Sequence, residues 1–418
     1  MSSAPVVVIG GGVVGLCVAH YLTSEGIPVE VIERATLGSG ASWGNAGWVC
    51  LSHSAPVTTP GVTRFALRSL GKPDSPLYLR PPLDSRFLLW LWRMWRSSTK
   101  SRFRYGYAAV TELNTKTFEL FEELAAHGVE TTLRRPGMVH AFMSAAEAQH
   151  HLDVQREMAA GRYDVPTEVT VGPDAHKLDP ALSPTVQAAY LVQGEGIVDP
   201  VRLIGALATA VRNGGGKIRE NVTVHGFSTT SGAVRAVRTT EGDVPCDGVV
   251  IAAGMWSQRL LAELGVRLSM QPGKGYSFSV DLDPAPEHAM YFGDRRVVAS
   301  PMNGGTRIAG TMELSGDNRD LDWRRIVAIA RASRHYLGQW FDDPDDLPAR
   351  IRDAWVGARP FLADGLPLID RSPSHRNAFV ATGHGMLGVT LGPATGRALT
   401  DYFLTGRRPQ VLDAFRFR

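Results

Sequence analysis

A chain of 418 residues, 44% apolar and 20% charged, is longer than one hydrophobic core usually serves, so two domains sharing a cleft are expected. With 44 basic against 41 acidic residues the formal net charge is only +3, and no basic run marks a nucleic-acid arm. Three scattered cysteines, Cys17, Cys50 and Cys246, argue against a disulfide scaffold or a zinc site, and no run reaches the roughly 18–20 apolar residues of a spanning helix. A reduced, cytoplasmic protein fits, either soluble or lying on the inner face of a membrane.

Residues 5–9 (PVVVI) read as a strand buried on both faces of a parallel sheet. A helix over 13–25 and a second strand over 28–33 complete a βαβ unit. Between the first strand and the helix, Gly10, Gly12 and Gly15 form GxGxxG. The first glycine makes the tight turn, the second admits a pyrophosphate, and the third lets helix and strand pack closely. The anion then sits on backbone N–H groups at the positive helix end. Glu33 ends the second strand, 23 residues after Gly10, where a carboxylate accepts from ribose hydroxyls and repels a 2′-phosphate. The loop GSGASWGNAGWV (38–49) has small residues suited to lying along an extended cofactor, and Trp43 and Trp48 are odd choices for a surface loop.

Residues 85–106 pack Phe87, Leu88, Leu89, Trp90, Leu91, Trp92, Met94 and Trp95 among Arg86, Arg93, Arg96, Lys100, Arg102 and Arg104. Such a stretch suits a helix at a membrane surface or partner through 87–96, or equally a helix buried between domains with a basic exit. Helical spacing continues over 108–126 and 145–160. At 194–222 a turn leads to a helix opening at Asp199-Pro200, a glycine stop and a strand. DGVVIAAG (247–254) is another buried strand, short strands and a charged helix near 322–341 follow, and the chain closes on strand NAFVAT, a glycine-rich turn and a helix from about Pro393. One nucleotide-binding domain is therefore assembled from 1–60, 194–265 and 352–418, and 61–193 plus 266–351 supply the second.

The pieces VVVIGGGVVGLCVAHYLTSEG, ASWGNAGWV, GIVDP, VVIAAGMWS, PGKGYS, GARPFLADGLPLI and ATGHGMLGVTLGPATG run in this order across nearly the whole chain. Together they resemble the D-amino-acid oxidase family of flavoproteins, and within it the D-amino acid dehydrogenase small-subunit branch. The resemblance implies an α/β, Rossmann-like FAD-binding domain beside an α+β substrate domain with a mixed or antiparallel sheet. It implies FAD as cofactor and oxidation of a small amine or amino acid to its imine. Covalent members of the family often use a late cysteine; none follows Cys246, which favours non-covalent FAD.

By the same resemblance Val13 and Val14 lie beside the pyrophosphate, Glu33 and Arg34 at the adenosine, and Ala41 and Ser42 near the phosphates. Asn45, Ala46, Gly47 and Trp48 approach the isoalloxazine, Val222 meets the adenine through its backbone, and Ala253 and Gly254 close the pocket. The turn Gly383, His384, Gly385, Met386, Leu387, Gly388, Val389 and Thr390 precedes a helix whose N-terminus would stabilise negative charge on reduced flavin. His384 reads as an ordering residue and not as a base. Val389 stands where the dehydrogenase branch often has tryptophan.

Arg359, in GARPFLADG where the resemblance implies a carboxylate-binding arginine, is the expected anchor for a substrate carboxylate, since a guanidinium pairs one bidentately; an arginine in a surface salt bridge is the alternative. Tyr276 is a second donor to substrate or a core tyrosine, and Lys274 meets flavin or solvent. The leading function is an FAD-dependent dehydrogenase of a small D-amino acid or cyclic imino acid (proline/hydroxyproline type), passing electrons to a quinone or respiratory acceptor. A glycine/sarcosine-type oxidase using dioxygen and a non-catalytic FAD-binding scaffold are the alternatives.

Overall fold

The structure is a computed structural model that describes residues 4–62, 75–79, 84–316, 318 and 320–418. The strand Val6–Ile9 is buried throughout and sits between Val29–Ile32 and Gly248–Ile251, both parallel to it. Lys217–Arg219 extends this sheet on one side and Ala378–Thr382 on the other, both in parallel, and Leu368–Arg371 closes it as the one antiparallel strand. Continuous Val/Ile runs on the inner strands follow from burial of both faces.

The helix after the first strand runs from Val13 to Ser24, and the terminal helix from Gly388 to Thr405 packs against it. Two glycines make that crossing close. A Cβ on Gly396 would lie 2.8 Å from the Cys17 main chain, and one on Gly392 would lie 3.3 Å from the Cys17 sulfur. The terminal helix starts a turn earlier than expected. Its N-terminal end is Gly388, and Pro393 falls in its second turn, at the cost of one i→i−4 bond. The helix Pro200–Asn213 begins as anticipated, with the Asp199 carboxylate accepting from the N–H groups of Val201 and Arg202. The spacing over 108–126 resolves into two helices, Lys100–Asn114 and Thr117–Ala126.

The second body is a mixed nine-stranded sheet, chiefly antiparallel. The strand Arg352–Leu362 is its edge, paired along Met270–Val280, although the sequence grouped 352–418 with the nucleotide-binding segments. Its mate is distant in sequence, so local patterning could not assign it. One face of this sheet carries Tyr276, Phe278, Val280 and Ile308 against Ile326 and Ile329 of the helix Trp323–Leu337. Successive strand residues point to opposite faces. Accordingly Ser277 turns the other way and donates to the carbonyl of Gly44 at 2.8 Å. From the same face Arg307 donates to the carbonyls of Trp43 and Asn45 at 3.0 and 3.2 Å. Three consecutive carbonyls of the 38–49 loop are thus held by the large sheet. Gly44 also has no room for a side chain, because the Trp355 ring lies where its Cβ would be.

The far end of the loop is tied by Trp48–Val49 pairing with Gly196–Ile197. Beside this pair the buried Glu195 carboxylate accepts from Leu51 and Ser52 N–H at 2.9 Å each. Burial outweighs those donors and pushes its pKa up to about 7.

Gly396→Val forces the two helices apart at their tightest point. Overpacking of this kind costs about 1–3 kcal/mol, so thermal unfolding should show a lowered Tm. A Tm equal to that of the parent would mean the crossing is looser than described.

Candidate active site

The first and terminal helices both open onto one cleft. Gly12, Val13 and Val14 line it from the first helix, and Gly388 and Val389 from the terminal one. Neither helix has a side-chain cap at its own N-cap residue. Ser42, from the following loop, accepts the Val13 N–H at 3.2 Å. Gly10 has φ +113 and lies against the main chain of Ala252 and Ala253, so no other residue fits there. Gly15 stands behind the cleft, where a Cβ would collide with the Gly10 carbonyl, consistent with a packing role for the third glycine.

At the end of the cleft beside this turn the Glu33 carboxylate accepts from Gly11 N–H at 2.8 Å and Ala35 N–H at 3.0 Å. Val222 reaches this end through its N–H, which donates to the Glu33 carbonyl at 2.9 Å. The Arg34 guanidinium lies 3.5 Å over the Trp256 ring, and Trp256 and Arg259 both line the cleft. Ala41, Ser42, Asn45, Ala253, Gly254, Gly383, His384 and Gly385 complete the expected lining. The lining and its donors fit a dinucleotide. Gly-rich backbone and helix N–H groups suit phosphates, and the carboxylate beside them suits ribose hydroxyls.

Trp256, Arg259, Thr223, Ala358 and Pro360 also line the cleft and were not singled out from the sequence. Trp256 had a legible signal, since it follows Gly254 by two residues in VVIAAGMWS. Ala358 and Pro360 had none beyond their neighbour Arg359. Ala46, Gly47, Trp48, Met386, Leu387 and Thr390 stand off the lining, as does Arg359, whose neighbours Ala358 and Pro360 belong to it. Trp48 instead donates through Nε1 to Ser300 at 2.9 Å and packs edge-on to His53 and Tyr291, and its carbonyl accepts from the Thr390 hydroxyl at 2.7 Å.

His384 is buried with Nε2 3.0 Å from the Thr395 hydroxyl, and burial pulls its pKa down to about 4. It is therefore a neutral imidazole near pH 7.

Arg359 lies on the sheet face shared by Ser277 and Trp355, as the pairs Ser277↔Trp355, Gly275↔Gly357 and Gly273↔Arg359 require. Its guanidinium crosses Gly275, where any Cβ would collide with it, and Nη1 donates to the Thr311 carbonyl at 2.9 Å. No carboxylate of the described residues pairs with it, and burial lowers its pKa to about 10. It keeps its charge at neutral pH.

Tyr276 does not join this group. It is fully buried on the opposite, helix-packed face, and its hydroxyl donates to Glu313 at 2.7 Å. Lys274 pairs with the same carboxylate at 3.2 Å and donates to Asn318 at 2.7 Å, so it faces neither the cleft nor solvent. The period-2 alternation of the strand separates both from Arg359. Among the described residues no His/Cys/Asp/Glu group suits a metal ion, and the three cysteines are free and buried.

Residues 5–402 match the sequence model of a family described as DAO, FAD dependent oxidoreductase. A D-amino acid dehydrogenase of Granulibacter bethesdensis is 30% identical over 415 residues, covering 97% of each chain. A D-amino-acid oxidase of Bradyrhizobium diazoefficiens is also 30% identical, over 97% of this chain and 96% of its own. The fold matches the crystal structure of glycine oxidase from Geobacillus kaustophilus with a TM-score of 0.76 at 23% identity, covering 100% of this chain and 99% of that one.

The purified protein is expected to be yellow and to release FAD, not FMN, on denaturation. Gly12→Val and Glu33→Gln should each lower the flavin-to-protein ratio measured by absorbance. Stoichiometric FMN, or undiminished FAD in both variants, would contradict the assignment of the two ends of the cleft.

Proposed function

The chain belongs to the DAO family of FAD-dependent oxidoreductases, and we propose that it oxidises a small D-amino acid or cyclic imino acid of the proline type to its imine. The observation that carries this reading is Arg359, a partly buried guanidinium without a carboxylate partner among the described residues. A partly buried cation left unpaired is costly, and a substrate carboxylate supplies the missing partner with bidentate geometry. Bound there, the substrate is held by one end, which orients its Cα–H.

When bound, FAD supplies the two-electron acceptor for the Cα–H hydride, at the cleft lined by Gly383, His384, Gly385, Gly388 and Val389. The neutral His384 imidazole, tied to Thr395, orders this turn. The substrate reacts through its own neutral amine, so no enzymic base is required at Cα. For a primary amine, hydrolysis of the imine to a keto acid follows in water.

Arg359→Lys should retain flavin and fold while losing kcat/KM for amino acids on the order of 10²–10³-fold, as for loss of a buried bidentate partner. An amine without a carboxylate should be affected far less. Equal losses on both substrates would make Arg359 a structural residue.

The electron acceptor we infer is a quinone or another respiratory component met at a membrane surface, with dioxygen the rival. Support comes from the helix Ser85–Ser97. Its inner residues Phe87, Trp90 and Met94 are buried, whereas Leu88, Leu89, Trp92 and Trp95 are exposed, Leu88 by 59% and Trp95 by 60%. Leu88, Trp92 and Trp95 share one outer stripe at i, i+4 and i+7, flanked by Arg86, Arg93 and Arg96, a pattern suited to the headgroup layer. Among the described residues no helix is long and apolar enough to cross a membrane.

Substrate-reduced enzyme should be reoxidised quickly by a soluble quinone and slowly by air in stopped-flow absorbance. It should also sediment with anionic vesicles in a salt-sensitive way that Trp92→Glu abolishes. Rapid air reoxidation with stoichiometric peroxide would move the acceptor to dioxygen, and unchanged sedimentation of Trp92→Glu would remove the outer stripe from membrane contact.

A further inference from the structure

The strand Gly305–Leu314 breaks its pairing with Met270–Val280 beside Arg359. Lys274 lies opposite Glu313 but Tyr276 opposite Gly310, so Thr311 and Met312 together face Gly275. This is a β-bulge, and Thr311 takes its left-handed position with φ +59. Glycine is the usual residue there, and a β-branched side chain at such a φ is strained by roughly 1–3 kcal/mol. Strain retained at one point next to an unpaired guanidinium calls for a function.

The directions of the side chains are settled by their neighbours. Ile308 packs in the cluster against the helix Trp323–Leu337, and a Cβ on Gly310 would point at Ile329 of that helix. Thr311 therefore turns to the other face, the one bearing Arg359. Met312 stays on that face, since its Cγ is 3.5 Å from where a Gly273 Cβ would be, and only Glu313 returns to Lys274 and Tyr276. The bulge frees the Thr311 carbonyl from the ladder to accept Arg359 at 2.9 Å. The Thr311 hydroxyl is buried and has no hydrogen-bond partner among the described residues. A buried hydroxyl left unpaired is unfavourable, and the partner it lacks is an acceptor on the Arg359 side of the sheet.

We propose that Thr311 is a second contact for the substrate carboxylate, its main-chain oxygen fixing the Arg359 guanidinium while its hydroxyl donates to the carboxylate that Arg359 binds. The proposal rests on the reading of Arg359 as carboxylate anchor. The strain then has a purpose, because it turns the carbonyl of Thr311 to the guanidinium and leaves the hydroxyl of the same residue for the ligand. Gly275 leaves the depression in which the guanidinium lies, and Gly357, paired with it on the neighbouring strand, leaves room for the Trp355 ring.

The test uses flavin-loaded enzyme titrated with propionate, a carboxylate that cannot be oxidised at an amine, and read by perturbation of the flavin absorption. Turnover of D-alanine and of ethylamine is measured alongside. Thr311→Ala is expected to weaken propionate about tenfold or more, the range for a hydrogen bond to a charged group, and to raise KM for D-alanine without a matching effect on ethylamine. Thr311→Ser should stay within about threefold of the parent. Thr311→Gly should lose propionate affinity as Thr311→Ala does while its Tm rises, since glycine accepts φ +59 without strain. A purely structural threonine cannot give that opposition of sign. Unchanged propionate affinity in Thr311→Ala and Thr311→Gly, with Arg359→Lys still defective, overturns the proposal alone. Failure of the parent to bind propionate, or unaltered binding by Arg359→Lys, overturns the anchor reading beneath it as well.

Discussion

The close crossing of the first and terminal helices is the constraint on which the cleft depends. Each helix begins without a side-chain cap of its own, and unpaired N–H groups at a helix start need an acceptor or an anion. Gly392 and Gly396 let the terminal helix approach Cys17, which brings both starts into one cavity. A longer side chain at either glycine would separate the two ends. The glycines at the crossing are thus as much a part of the cofactor site as those of GxGxxG, although they stand a turn or more away from it.

The two sheets are coupled through backbone polar groups as well as through apolar contact. Ser277 and Arg307 of the large sheet hold the carbonyls of Trp43, Gly44 and Asn45, and Asn45 itself lines the cleft. A shift of the sheet that carries Arg359 would therefore be felt by the loop along the cofactor. This gives a physical basis for a fixed orientation between Arg359 and the cofactor cleft.

The helix Ser85–Ser97 joins the same region to the surface. Trp90 donates through its indole N–H to the Phe361 carbonyl at 3.1 Å, two residues beyond Arg359, while Trp92 and Trp95 face outward. The core reading of this segment describes its inner face, and the outer face is exposed. A tryptophan every few residues cannot be assigned to a face by composition; helical phase and the position of the neighbouring strand decide it.

Local signals were enough for the dinucleotide cleft. The strand, the GxGxxG turn, the acid at Glu33 and the glycine-rich turn before the last helix are contiguous patterns whose chemistry is carried by backbone geometry. The family resemblance added Arg359, whose solitude inside the protein could not be read from its motif. What lay beyond reach were contacts between strands far apart in sequence. The edge strand Arg352–Leu362 belongs to the large sheet because it pairs with Met270–Val280. Tyr276 and Lys274 turn from the site because strand alternation and Glu313 draw them to the other face. Thr311 carries no motif at all. Its importance comes from one extra residue in a ladder, which only the pairing of two strands can define.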